Sequence, residues 1–259
     1  MFIIGLEETM TKIKVMLSAA TVLLAGVSAA SAADLAARPY AKAPVAPVVA
    51  IYNWTGFYIG ANGGWASSHK CWDYIGTVGA PVAADPEGCH NASGGTAGGQ
   101  IGYNWQAGSW VFGLEAQGNW ADLSGQNVSL AFPSWTNRSH IDGFGLFTGR
   151  VGYAWNNALL YVKGGAAVVK DKYNYFLNGT TVDTGTASET RWGAAVGTGI
   201  EFGFAPNWSA AVEYDHLFLG SRDITFASPS QTIDTIRQDV DTVTVRINYR
   251  FGGPVVAKY

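Results

Sequence analysis

Residues 241–251 read DTVTVRINYRF, and the two parities of this stretch carry different chemistry. Val243, Val245, Ile247, Tyr249 and Phe251 fall on one face of an extended chain, whereas Thr242, Thr244, Arg246, Asn248 and Arg250 fall on the other. Side chains alternate across a strand, so the stretch predicts a β-strand with one wholly apolar face. A strand of a soluble sandwich alternates in the same way. The number of such strands and the way they are joined therefore decide the fold.

Eight alternating segments stand out, at roughly 54–66, 96–106, 109–121, 142–155, 158–171, 190–204, 208–219 and 240–251. QAG, NN and APN join three successive pairs as hairpin turns, whereas the stretches around 67–95, 122–141, 172–189 and 220–239 are long, polar and rich in Gly, Ser, Thr, Asn and Asp. Long and short connections alternate throughout, which puts all long loops at one end and the short turns with both termini at the other. That asymmetry is the pattern of an outer-membrane barrel with short periplasmic turns and long extracellular loops.

Periodicity alone does not tell inside from outside; three further features favour an apolar exterior. Trp105, Trp110, Trp155 and Trp208 flank the short turns, and with Tyr249 and Phe251 they predict an aromatic girdle at the headgroup level. Many of the 33 glycines fall inside predicted strands, as in GGQIG and GRVG, where a strongly curved small barrel needs close backbone approach. The segments also run to about 11–14 residues, enough for a tilted crossing that needs about 9–11. The expected fold is all-β: an eight-stranded antiparallel transmembrane β-barrel with short periplasmic turns and four long extracellular loops.

At the front, Lys12 and Lys14 precede the apolar run VMLSAATVLLAGVSAA and then SAAD, which predicts an export signal over 1–33, with Met10 as a possible true start. Residues 34–52 read as an Ala/Pro-rich periplasmic lead-in, 53–251 as the barrel and 252–259 as a tail. The signal removes two charges of each sign, so the net charge stays at −3 and no basic field for nucleic acid exists.

With the apolar parity outward, the interior receives Glu115, Arg150, Lys163, Arg191, Glu201, Glu213, Asp215, Arg246 and Arg250. Unpaired buried charge is costly, and eight strands enclose little more than side chains fill. The expectation is a plugged, ion-paired interior with at most a narrow water path. Cys71 and Cys89 are the only cysteines; both lie in the first long loop of an exported chain, which predicts a disulfide across seventeen intervening residues. His69 and His90 beside them suggest a metal site, but the spacing lacks a Cys-x-x-Cys pair and a disulfide removes both thiolates, so neither a metal nor another cofactor is expected. Asp215 and His216 point to opposite faces, and Ser139 and His140 lack a positioned third group, so no enzyme is expected.

VAIYNWTGFYIGANGGWA at 49–66, GGQIGYNWQ at 98–106 and the ending INYRFGGPVVAKY together resemble the small outer-membrane β-barrel proteins of alphaproteobacteria, which include Brucella surface antigens and Bartonella haemin-binding proteins. The resemblance covers nearly all of the chain after the signal. It implies a porin-like or structural surface protein, in contact with outer-membrane lipid and lipopolysaccharide and inserted by the barrel-assembly machinery. It brings no catalytic site and no haemin motif that matches particular positions here. It does not fix the oligomeric state. The ending leaves open whether that machinery reads Tyr249 and Phe251 or Tyr259. Two alternatives stand beside the structural reading: a weakly conducting pore for small solutes or ions, and haemin or host-surface binding through the outer loops.

Overall fold

The computed structural model describes residues 52–180 and 182–252; the expected signal, nearly all of the lead-in and most of the tail lie outside the described residues. Eight strands follow in chain order: β1 (Gly56–Thr77), β2 (Ala80–Ala107), β3 (Trp110–Val128), β4 (Trp135–Trp155), β5 (Ala158–Leu177), β6 (Asp183–Ala205), β7 (Trp208–Thr225) and β8 (Thr232–Phe251). Each pairs with its sequence neighbour, and β1 closes on β8 in an antiparallel register from Phe57↔Phe251 to Thr77↔Thr232. Closure leaves the sheet without free outer edges, as a lipid-spanning sheet requires.

The inner turns are as short as expected, two residues each at 108–109, 156–157 and 206–207. Asn156 adopts φ 56° in one of them, a left-handed conformation that asparagine tolerates and two-residue hairpins demand. The outer connections differ from the sequence reading. Strands of 18 to 28 residues run far beyond the apolar segments, so most of each long loop is itself barrel wall and, among the described residues, only the tips at 78–79, 129–134, 178–180 and 226–231 turn. The reason is visible in β1: past Trp65 the outward residues become Ser67, His69 and Cys71, while Ser68, Lys70 and Trp72 stay buried inside. The pleat continues, but the apolar parity that marks a membrane strand stops.

That change of chemistry sets the membrane level. Trp105, Trp110, Trp155, Trp208 and Phe251 are exposed beside the short turns, and Tyr249 packs half-buried between Trp208 and Phe251 with ring centroids 5.0 and 5.1 Å away. A second belt of exposed rings, Trp65, Trp120, Phe147, Trp192 and Phe218, stands higher on the wall. Between the belts the outward residues are apolar or glycine apart from Thr198 and His216. Above the second belt most of them are polar.

Candidate functional site

The interior is filled in layers. At the base, Tyr52, Trp54, Val111, Ala154, Leu159 and Tyr161 form an apolar cluster, with the residues before β1 tucked into the barrel mouth. The Trp54 backbone N–H donates to Gln106 Oε1 at 2.8 Å, and Arg250 holds the same segment by donating to Thr55 O at 3.2 Å and Pro206 O at 2.9 Å. Tyr52, at the end of the expected lead-in, is thus part of the barrel's inner end.

Above it lies the main charge layer. Lys163 Nζ sits 2.7 Å from Glu213, 3.2 Å from Asp215 and 3.6 Å from Glu115, while Arg246 bridges Glu115 and Glu213. Arg150 meets Glu201 at 3.2 Å and donates to Asn104 at 2.9 Å. The Tyr58 and Tyr161 hydroxyls donate to Glu115 and Glu213, each at 2.7 Å. All of these groups are buried, and charges taken out of water persist because each finds an opposite partner or a donor. Of the nine interior charges expected from the sequence, seven meet here, Arg250 serves the base, and Arg191 lies higher.

Next comes an apolar belt to which all eight strands contribute, among them Ala66, Ala92, Leu123, Phe144, Leu217 and Val240. Above the belt stands a second polar layer of which the sequence reading named only Arg191: Lys70, Tyr173, Glu189 and Gln238 fell in stretches read as loops, and Asp171, at the end of the fifth alternating segment, was not assigned to the interior. Lys70 Nζ and Asp171 Oδ1 are 2.6 Å apart with both side chains wholly buried, and Gln238 links Asp171 to the Tyr173 hydroxyl. Arg191 donates to the carbonyls of Gly220 and Ile236 at 3.3 and 3.1 Å and pairs with Glu189 at 3.2 Å. Trp72, Tyr173, Ile224, Phe226 and Ile236 roof this layer.

Near the outer end, His90 Nδ1 donates to Asn127 Oδ1 at 2.7 Å, and Ser139 Oγ donates to His90 Nε2 at 3.0 Å. The order of groups matches a nucleophile, a base and an orienting residue. Ser139 has no exposed surface, however, so the set works as a buried hydrogen-bond chain, and burial lowers the His90 pKa. Two acids share this end. Burial raises Glu87, although Asn137 and Ser129 donate to it at 2.7 and 3.0 Å, and burial together with the Glu87 charge pushes Asp234 up to about 8.

The wall itself loosens between β6 and β7. Pairing between β6 and β7 stops at Ala194↔Phe218, beside a register shift at Gly220, and resumes at the single bridge Thr186↔Ala227. Arg191 and the Arg222–Glu189 pair at 3.7 Å span the gap. Around it lies a groove of about 840 Å³ whose lining includes Arg138, His140, Lys172, Asn174, Glu189 and Asp223. Cations and carboxylates are interspersed: Lys172 pairs with Asp142 at 2.9 Å and His140 with the same carboxylate at 3.1 Å. Such a surface suits a polar ligand that offers both donors and acceptors.

Cys71 and Cys89, cross-strand partners on the outward face of β1 and β2, are joined in a disulfide. His69 shares that face, whereas His90 points into the barrel.

Comparison with known proteins agrees with this architecture. The Outer membrane protein beta-barrel domain family matches residues 18–251. The chain is 30% identical over 251 residues to the 31 kDa outer-membrane immunogenic protein of Brucella melitensis, covering 89% of this chain and 99% of that one. It is 32% identical over 189 residues to a 22 kDa outer membrane protein of Rhizobium leguminosarum bv. viciae, covering 71% and 74%. Among solved structures, the outer membrane protein OprG of Pseudomonas aeruginosa aligns over 78% of this chain and 99% of its own, with a TM-score of 0.48 and 15% identity. The chain belongs to the outer-membrane β-barrel domain family, as a surface-exposed multi-pass barrel of the outer membrane with a largely occluded, salt-bridged interior.

Proposed function

We propose that this protein acts at the cell surface through the outer part of its wall, recognising polar ligands there, while the membrane-embedded part serves as a sealed and stabilising trunk. The observation that carries this reading is the layered interior: paired charges lie between an apolar base and an apolar belt to which every strand contributes. A solute that crossed would have to break those pairs and wet the belt. The name of the Brucella relative, an immunogenic outer-membrane protein, fits a role in which the exposed wall meets the outside world.

Lipopolysaccharide is the ligand nearest at hand. The groove opens above the Trp192 and Phe218 level, and its mixed side chains include Arg138 and Lys172, suited to phosphate, beside Asn174 and Asp223, suited to sugar hydroxyls. Binding is tested by thermal shift of the detergent-folded protein with purified lipopolysaccharide and with neutral oligosaccharides. Wild type should be stabilised, and Arg138→Ala/Lys172→Ala should lose that stabilisation while keeping its folded migration on gels. An unchanged shift in the double variant contradicts the groove as the site. Insertion by the barrel-assembly machinery follows from the same reading.

A second reading, weak conductance for small ions, is favoured by one observation. Gln117 Oε1, Thr148 Oγ1 and Thr244 Oγ1 are buried without a protein partner, as groups that hold water would be. Single-channel recording separates the two readings.

A further inference from the structure

Outside the groove and the interior, His69, Cys71 and Cys89 place their ligand atoms within 4.8 Å of one another on the outer face of the β1–β2 hairpin. The disulfide occupies both sulfurs and the site holds no ligand set while it is closed. The histidine is arranged in a way the disulfide does not require. Its Nδ1 lies 2.8 Å from Asn91 Oδ1, and a carboxamide oxygen can only accept, so Nδ1 carries the proton. Nε2 is left with its lone pair, and it faces Cys71 Sγ at 3.5 Å. A metal-binding imidazole is commonly held this way, with its far nitrogen donating to an outer oxygen that fixes both tautomer and ring.

We propose that the Cys71–Cys89 pair is a reductant-gated site for a zinc-class divalent cation, with the two thiolates and His69 Nε2 as ligands and Asn91 as the positioning residue. An external dithiol opens the gate. Two electrons and two protons pass to the Cys71 and Cys89 sulfurs, and the dithiol closes to its own disulfide. Binding of the cation then displaces the two thiol protons to solvent, giving an S₂N set with one position open to water. Arg237, the β8 partner of Cys71, is exposed beside the pair. Asp239 stands in the same relation to His69 and adds negative charge next to the bound cation. The cysteines are opposite one another on paired strands, so the ligands stay on neighbouring rungs when the S–S bond opens.

The test is cobalt(II) titration of the mature, detergent-folded protein, after dithiol reduction and removal of the reductant under argon, with folding checked by heat-modifiable migration. The expected result is one cobalt per chain with a near-ultraviolet thiolate band, its displacement by zinc, and no band in the oxidised protein. Cys71→Ser and Cys89→Ser should each weaken the thiolate band, and His69→Gln should alter the visible ligand-field bands. Asn91→Ala should leave the bands in place and weaken affinity by about 10–100-fold. No cobalt binding by the reduced folded protein, equal binding by the oxidised protein, or spectra unchanged in His69→Gln would each overturn the proposal. So would a reduced protein that has lost its folded migration.

Discussion

Asp234 carries a charge problem that most surface carboxylates avoid. It faces inward near the outer end of β8, buried and close to Glu87, and it titrates at about 8. A carboxyl raised in this way is protonated in the fold and ionised in the unfolded chain across the interval between its two values. Its contribution to stability is therefore complete below about pH 4 and is lost as pH rises through about 8. Hydrogen-exchange protection of the outer wall should fall between pH 5 and pH 8.5, and Asp234→Asn should flatten that slope; a slope unchanged by the substitution contradicts the assignment. Deeper in the barrel the consequence is structural. Arg246 joins Glu115 and Glu213, so Arg246→Ala leaves both carboxylates short of their main partner. Loss of one member of a buried pair costs about 3–5 kcal/mol, which urea unfolding in detergent micelles will read directly.

At the level of the strand, what could be read from the sequence depended on the solvent on each side. Within the membrane, one face meets lipid and the other a charged interior, so residues such as Phe112, Leu114 and Glu115 announce the strand, and the aromatic girdle beside the short turns then sets which face points outward. Above the outer belt both faces are polar in much of the sequence. Lys70 looks like a loop residue, and Asp171 like the frayed end of a strand, until pairing with neighbours shows both pointing inward. The hairpin turns and the disulfide were legible, because short turns and paired cysteines in an exported chain have few alternatives. The groove was not, since it arises where β6 and β7 lose register rather than from any local motif. The closing seam makes its own demand at Gly64, where an added Cβ would lie 1.9 Å from the Val243 carbonyl oxygen. Gly64→Val should therefore block closure of β1 on β8 and abolish heat-modifiable migration. Normal migration of the variant would show that the seam relaxes around the side chain.

For the whole molecule, the balance of forces differs from that of a soluble protein. Rings and aliphatic side chains that would form a core face lipid instead, and the interior is held by charge pairs separated by apolar layers. Such an interior gives rigidity at the expense of passage. The wall then extends beyond the bilayer as paired strands, which presents a fixed surface to the outside in place of mobile loops. In intact cells, added protease should cut at the tips around 129–134 and 226–231 and spare the strand-built wall between the tips and the outer belt; cleavage throughout that wall would contradict its pairing.

Single-channel recording tests the sealed trunk most directly, with the detergent-folded mature protein inserted in a planar bilayer and its folded state verified by gel migration. Inserted wild type should stay silent, and Glu213→Gln should lower stability without opening a path. Reproducible conductance steps in the wild type whose size or ion preference changes with Glu213→Gln would contradict the account and make the interior charges the lining of a pore.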